Sequence, residues 1–470
     1  MYHHAVISYG IAGIAALSSG LSFAQLGKHV HTSGGAFEYS TIVFGELIGW
    51  LVGWSTVLEI TLSSSAVSRG MSGYLLGGNL ASSNELDPVA FLLIAFLSFI
   101  LCVGIRESAR FNMAVCSLNM ACILLVIISG VGSARIANLT EGAGGFLPFG
   151  MSGVFSAAGI VFFSFIGFDN LPNAAEEAIN PTRDIPRSIV TSLLVASVLY
   201  MGMAFSMVLM QPYTDIDITA PYKAAFLAQG KPLAAFLVSA GAVCGITTST
   251  MTALLSNARL LAVLGRKRYL PRSFSSIHES TATPVVATVF TGVVAGTLAL
   301  LIDISVLTEL VSAATLAIFF VVNCAALSMI LKDSDAEETK ASTTATGILD
   351  AADTTIRDKH PLRSPAVGTI CASPLAASAL SRITGSPAAS TTCVMLFVWL
   401  PACLKVASRT CRAPIWSPAF GILSTGFLFC SLHAGSLLQY AAYLAVGYVA
   451  YLTSAKHRED AAIEAYVANL

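Results

Sequence analysis

The residues best suited to chemistry lie in one stretch. It reads Ile160-Val-Phe-Phe-Ser-Phe-Ile-Gly-Phe-Asp-Asn170, followed by Ala174-Ala-Glu-Glu-Ala-Ile-Asn-Pro-Thr-Arg-Asp-Ile-Pro186. An apolar helix here meets Gly167, Asp169, Asn170 and Pro172 and then continues as a short polar helix. A helix interrupted within a membrane exposes backbone carbonyls and half-helix ends. Such groups bind the ammonium or carboxylate of a small zwitterion. The competing reading is a Gly/Pro kink packed against neighbouring helices. A second candidate is Glu59, in the apolar run Trp54-Ser-Thr-Val-Leu-Glu59-Ile-Thr-Leu. A carboxylate there costs about 2.5 kcal/mol or more on insertion scales, so it needs a partner or a water-filled cavity. It either attracts a cationic solute group or is held internally by a neighbouring helix.

Other chemistries find less support. His3, His4, His29 and His31 sit in short polar segments without a carboxylate or cysteine partner. The ten cysteines form no C-x-x-C pair, and most lie in apolar runs as small buried hydrophobes. Neither a His-rich metal motif nor a Ser/His/Asp arrangement stands out, so a membrane-embedded enzyme ranks behind the binding and transport classes, and no cofactor is implied.

The elements that position these residues follow from composition. Of 470 residues, 55% are hydrophobic and only 11% charged. That is too little polar surface for a water-soluble globule of this length. The net charge of −1 has no basic patch for nucleic acid. Apolar runs long enough for membrane helices fall at 6–26, 36–74, 88–103, 112–131, 154–177, 185–210, 232–264, 285–302 and 305–331. Three more follow at 391–406, 415–430 and 435–452, with a weaker one at 366–380 interrupted by Pro374. Thirteen spans are therefore expected. The stretch 332–364, rich in Asp, Glu, Thr and Ser, reads as a mobile loop. The opening residues Met1 to Ser8 lack the basic region and cleavage site of a signal peptide.

Charge orients the spans, because Lys and Arg accumulate on the cytoplasmic side. One set of alternate loops carries Lys28, Arg106, Arg110, Arg183, Arg187, Arg266, Lys267, Arg268 and Arg272. The other carries only Arg69, Arg135, Lys223 and Lys231. The first set is expected inside, with the Asn138-Leu-Thr140 sequon outside. Counting the span at 366–380 places Lys405 to Arg412 and the tail with Lys456 and Arg458 inside too, and puts Met1 outside.

The stretch Phe162 to Asp169 with Glu176 to Pro186 resembles the sixth helix and following loop of the amino acid–polyamine–organocation superfamily. Within it, Ser33-Gly-Gly-Ala-Phe-Glu-Tyr39, Gly45-Glu-Leu-Ile-Gly-Trp-Leu-Val-Gly-Trp54 and Met71-Ser-Gly-Tyr74 are similar to the cationic amino acid transporter family. So are Asn257-Ala-Arg259, Tyr269-Leu-Pro271 and Thr283-Pro284. The resemblance covers the chain except 332–390. It implies an all-α polytopic membrane protein built as an inverted-repeat helical bundle with extra C-terminal helices. It divides the chain into a transport core over 1–331, a polar cytoplasmic loop over 332–365, C-terminal membrane helices over 366–454 and a cytoplasmic tail over 455–470. In the family's scheme the chain begins at the second helix, and a further Gly-broken helix upstream of Met1 is expected.

The resemblance also implies a site. Backbone groups of Phe163, Ser164, Phe165, Ile166 and Gly167 would hold a substrate's α-amino group, with the Phe163 ring as a gate. The alternative for these phenylalanines is lipid-facing packing. Glu59 matches a glutamate of bacterial members near the substrate's side chain. Ala253 corresponds to a small residue that leaves room for a long cationic tail, although alanine is also common in packed membrane helices. Asn119 stands where proton-coupled bacterial relatives carry a lysine; a carboxamide does not titrate, which points to facilitated diffusion. The competing reading makes Asn119 a helix–helix hydrogen bond, with Glu59 or Asp169 carrying a proton. Arg266-Lys267-Arg268-Tyr269 replaces the family's usual Arg-Asp-Gly, in a loop remote from specificity. The implied partners are a cationic amino-acid substrate such as arginine, lysine or ornithine, and membrane lipid. Carriers of neutral amino acids or polyamines are the alternatives, as is a non-transporting sensor or truncated paralogue. A plasma membrane is the expected location, with a vacuolar or lysosomal membrane the other option.

Overall fold

The computed structural model describes residues 5–29, 34–76, 86–103, 109–133, 150–169, 180–212, 215–217, 220–278, 283–345 and 416–468. Among these residues the regular elements are all helices, as expected of an all-α polytopic bundle. They are α1 (Ala5–His29), α2 (Gly35–Phe44), α3 (Glu46–Leu76), α4 (Pro88–Val103), α5 (Ala109–Gly132), α6 (Gly150–Val161), α7 (Pro181–Met210), α8 (Pro221–Ala228), α9 (Pro232–Arg266), α10 (Val285–Leu301), α11 (Ile304–Ala345), α12 (Trp416–Cys430) and α13 (Ala434–Ala468).

Six of them contain stretches long and apolar enough to cross a membrane: Ala5–Gly27, Glu46–Leu75, Met113–Gly132, Arg183–Met210, Pro232–Arg266 and Ile304–Lys332. The α12–α13 pair, expected as two spans at 415–430 and 435–452, passes the same length and apolarity test only together and is bent by 109° at its break, as a broken span or a re-entrant loop would be; three apolar helices are shorter. The expected spans at 366–380 and 391–406 lie outside the described residues, as does the polar helix after Asn170.

Three boundaries differ from the sequence reading. The run expected at 36–74 is two helices, because Gly45 adopts φ +92° and ψ 175°, a conformation that glycine reaches without a Cβ penalty. The helix expected to end at 331 continues to Ala345, into the stretch read as a loop. Its Asp-Ala-Glu-Glu-Thr-Lys segment is rich in good helix formers, which outweighs its polarity. The C-terminal helix likewise continues through most of the expected tail, to Ala468.

Small residues allow the helices to approach closely, as in other membrane bundles. At Gly20 of α1 a Cβ would stand 2.6 Å from Leu193 of α7. The same two helices enclose part of the main core, in which Phe23, Phe162, Phe168 and Phe319 interlock through tilted and edge-to-face ring contacts.

Helix α13 is docked on α3 by aromatic residues. Trp50 Nε1 donates to Gly447 O at 2.7 Å, Trp54 Nε1 to Tyr443 O at 3.2 Å, and Tyr443 Oη back to Trp54 O at 3.0 Å. Trp50 also stacks on Tyr269 of the α9–α10 connection. Beside it, Lys267 pairs with Glu38 at 3.0 Å and lies over the Phe37 ring.

The next residue, Arg268, has φ +61°, in the left-handed region that costs an L residue roughly 1–2 kcal/mol. This is the position where the resembling family has glycine. Arg268→Gly is therefore expected to be neutral or to stabilise the protein by up to about 1 kcal/mol, and Arg268→Val to destabilise it. Thermal unfolding in detergent checks both; a marked loss with glycine would show that the arginine side chain holds the turn.

Candidate functional site

The site forms where an apolar helix stops short. After Val161 the chain tightens into a 3₁₀ turn over Phe162–Phe165, and Ile166 is extended with φ −60° and ψ 143°. Gly167 follows at φ +124°, which favours glycine. In hydrocarbon every backbone group released by such a break needs a partner. Ile166 N donates to Phe163 O at 3.0 Å, and Gly167 N to Asp169 Oδ1 at 2.9 Å. Two partners come from other helices. Tyr200 Oη of α7 donates to Ser164 O at 3.0 Å, and Ser312 Oγ of α11 to Ile160 O at 2.9 Å.

The phenylalanines divide into two groups. Phe162, Phe165 and Phe168 are buried in the protein core, against α1, α7 and α11. Phe163 and Ile166 are half-buried and pack on Leu62, Ala66, Leu307 and Val311 of α3 and α11. For the three buried rings, lipid-facing packing is thus replaced by packing within the bundle.

The second surface, formed by α3 and α11, also carries Glu59. Its side chain is 1% exposed, and Oε1 lies 3.1 Å from Thr315 Oγ1, whose single proton is shared with Val311 O at 2.9 Å. It feels the carboxylate of Asp169, just beyond the helix break. Among the described residues no lysine, arginine or histidine pairs with Glu59. The partner anticipated from a neighbouring helix is therefore a threonine hydroxyl. One neutral donor is a small return for burying a carboxylate in hydrocarbon.

The structure thus brings Glu59 and the 163–167 break to neighbouring parts of one α3–α11 surface. Ala253 of α9 lies one turn before Asn257, whose Nδ2 donates to Thr61 Oγ1 of α3 at 2.8 Å. Residues i and i+4 share a helix face, so Ala253 belongs to the side of α9 turned toward α3. Asn119 stands apart from this group. It packs against Gly245, where a Cβ would come within 2.7 Å of its Nδ2. Gly245 precedes Ala253 by eight residues, about 12 Å along α9.

Thr315, Ser312 and Tyr200 were not singled out from the sequence. A signal was present for the first two, since Thr308, Ser312 and Thr315 recur at i, i+4 and i+7 and so share one face of a mainly apolar stretch. Nothing in the sequence marked Tyr200, whose role depends on which helix packs behind the break.

Helices of membrane-spanning length around an interrupted helix, with a buried carboxylate beside the break, follow the broken-helix pattern found in many transporter folds. Residues 4–349 match the family model for amino acid permeases, and the chain belongs to that family. It is 39% identical over 337 residues to cationic amino acid transporter 7, chloroplastic, of Arabidopsis thaliana, an alignment covering 67% of this chain and 58% of that protein. Cationic amino acid transporter 2, vacuolar, from the same plant is 37% identical over 333 residues, covering 67% of this chain and 52% of the relative. The methylthioribose transporter of Bacillus subtilis is 34% identical over 338 residues, covering 68% and 72% respectively. The chain therefore spans little more than half the length of the plant relatives it matches.

Proposed function

We propose that this multi-pass membrane protein carries amino acids across a membrane by alternating access, with cationic amino acids such as arginine, lysine and ornithine as the preferred substrates. The observation that carries this reading is Glu59, a buried carboxylate next to the helix break without a basic partner among the described residues. A guanidinium or ammonium group supplies the missing charge, and charge-assisted hydrogen bonds are the strong ones. Backbone groups at residues 163–167 would take the α-amino group, and the half-buried Phe163 ring would close over it. The small Ala253 side chain leaves room for a long substrate tail.

The absence of a titratable side chain at position 119 supports facilitated diffusion, driven by the substrate gradient and the membrane potential. The names of two plant relatives support the cationic preference. The bacterial relative, a transporter of methylthioribose, favours a second reading in which the solute is a neutral organic molecule. The names that place relatives in chloroplast and vacuole lend no support to the plasma membrane over an internal one.

Uptake of radiolabelled arginine, leucine and putrescine by cells expressing the chain tests the proposal. Arginine uptake is expected to exceed that of the other two at least tenfold over untransfected cells. Preferred leucine uptake would favour the neutral reading, and no uptake of any of the three would contradict amino-acid carriage and favour a non-transporting role.

A further inference from the structure

In an unbroken helix the carbonyl of Ile160 would accept from the amide of Ser164, and that of Ser164 from the amide of Phe168. Residues 160, 164 and 168 form one continuous ridge of i to i+4 bonds. In this protein both carbonyls are instead met by hydroxyls from other helices: Ile160 O by Ser312 Oγ at 2.9 Å, and Ser164 O by Tyr200 Oη at 3.0 Å. Both hydroxyls are well fixed. The Tyr200 ring lies 5.3 Å from Phe165 and 5.7 Å from Tyr9, centroid to centroid. Ser312 is fully buried, and its Oγ is also 2.9 Å from Thr308 O, one turn back in its own helix.

We propose that Tyr200 and Ser312 are positioning residues for the substrate site, keeping residues 162–167 off the α-helical path by occupying the two carbonyls that would otherwise continue the α-helix. The proposal rests on the reading of these residues as the amino-group site. A carbonyl left without a donor in hydrocarbon is costly, and the nearest replacement donor for Ser164 O is the Phe168 amide, reached by rewinding the chain. Rewinding would turn the backbone groups of residues 165–167 inward and away from substrate. The hydroxyl of Tyr200 leaves the second lone pair of Ser164 O available, so a substrate ammonium can share that oxygen without displacing it. Ser312 has an alternative acceptor in Thr308, so Tyr200 is the stronger of the two props.

Tyr200→Phe removes only the oxygen and keeps the ring between Tyr9 and Phe165. The first measurement needs no substrate: amide hydrogen exchange at Phe168, in the purified full chain reconstituted in phosphatidylcholine nanodiscs. Rewinding is expected to slow that exchange at least fivefold in Tyr200→Phe. Unchanged or faster exchange, as simple loosening would give, overturns the proposal. Should Tyr200→Phe fail to fold, exchange at Ser164 in Ser312→Ala decides the same point in the same way.

The second measurement is transport in proteoliposomes. Each variant is expected to raise KM for arginine roughly three- to tenfold, the range for one lost hydrogen bond, with Vmax within twofold. The double variant should lose less than the product of the single losses, because both hydroxyls hold one ridge. Ser312→Thr, which keeps a hydroxyl, should restore the original KM. A fall in Vmax at constant KM would contradict positioning. If the unsubstituted chain carries no amino acid, the functional reading fails while the exchange measurement still decides whether the two hydroxyls hold the break open.

Discussion

Replacing Glu59 by glutamine should lower arginine and lysine uptake at least tenfold while changing leucine uptake by less than threefold, if the unsubstituted chain carries both classes. The substitution preserves shape and can keep the hydrogen bond from Thr315, whose acceptor is an oxygen in either residue. What it removes is the charge. Hydrogen bonds to charged groups are worth about 1.5–3 kcal/mol, and in a low-dielectric site they exceed their value in water. A loss of that size is about ten- to a hundredfold in the affinity of a cationic substrate. A neutral substrate lacks the partner charge and should respond little. Kinetics of both substrates in one preparation give the answer. Equal losses would show that Glu59 supports the α3–α11 contact or the transport cycle, and that the cation is recognised elsewhere.

Gly167→Ala should act differently, reducing uptake of arginine and leucine alike by about tenfold or more. A Cβ at this position would meet no atom within 4 Å, so steric clash contributes nothing. The cost lies entirely in the backbone. At φ +124° an alanine is strained by roughly 1–3 kcal/mol, and the chain relieves that strain by changing the path between Ile166 and Asp169. The Gly167 N–H that donates to Asp169 would move with it. If this backbone reads the amino group common to both substrates, as proposed, both should lose equally. Uptake of the two substrates by the variant, normalised to protein in the membrane, checks this. Unimpaired uptake would remove the 166–169 turn from the site.

These two effects rest on features of different legibility. The break at Gly167 was readable because glycine, aspartate and proline within an apolar run are hard to place in a continuous membrane helix. Glu59 was readable because one carboxylate in an apolar run always demands an explanation. The membrane helices were readable because hydrophobic length is a local property; those described start and stop within a few residues of the apolar runs, except where local conformation or propensity intervened. Gly45 split one run through its backbone angle, and the Ala/Glu/Lys-rich segment after Lys332 carried α11 past its apolar part. The partners of the site were not readable in the same way. Thr315 faces Glu59 across 256 residues of chain, and Tyr200 reaches Ser164 from a different helix. Such contacts depend on which helices pack together and in what register, and threonine, serine and tyrosine are unremarkable in membrane helices. The separation of Asn119 from the Glu59 surface is likewise a matter of packing. The family pattern attached a coupling role to that position but could not show that its side chain rests against Gly245.

We propose that cationic amino acids cross through this protein down their own gradient and the membrane potential. This is tested most directly by purifying the full chain into proteoliposomes and following labelled arginine under imposed potassium diffusion potentials. A potential of 100 mV contributes about 2.3 kcal/mol per elementary charge, enough to concentrate a monovalent cation roughly fiftyfold. Arginine should accumulate when the interior is negative, stop accumulating when the potential is collapsed with valinomycin at equal potassium, and ignore a pH gradient at zero potential. Concentrative uptake driven by the pH gradient alone would show proton coupling and rule out facilitated diffusion.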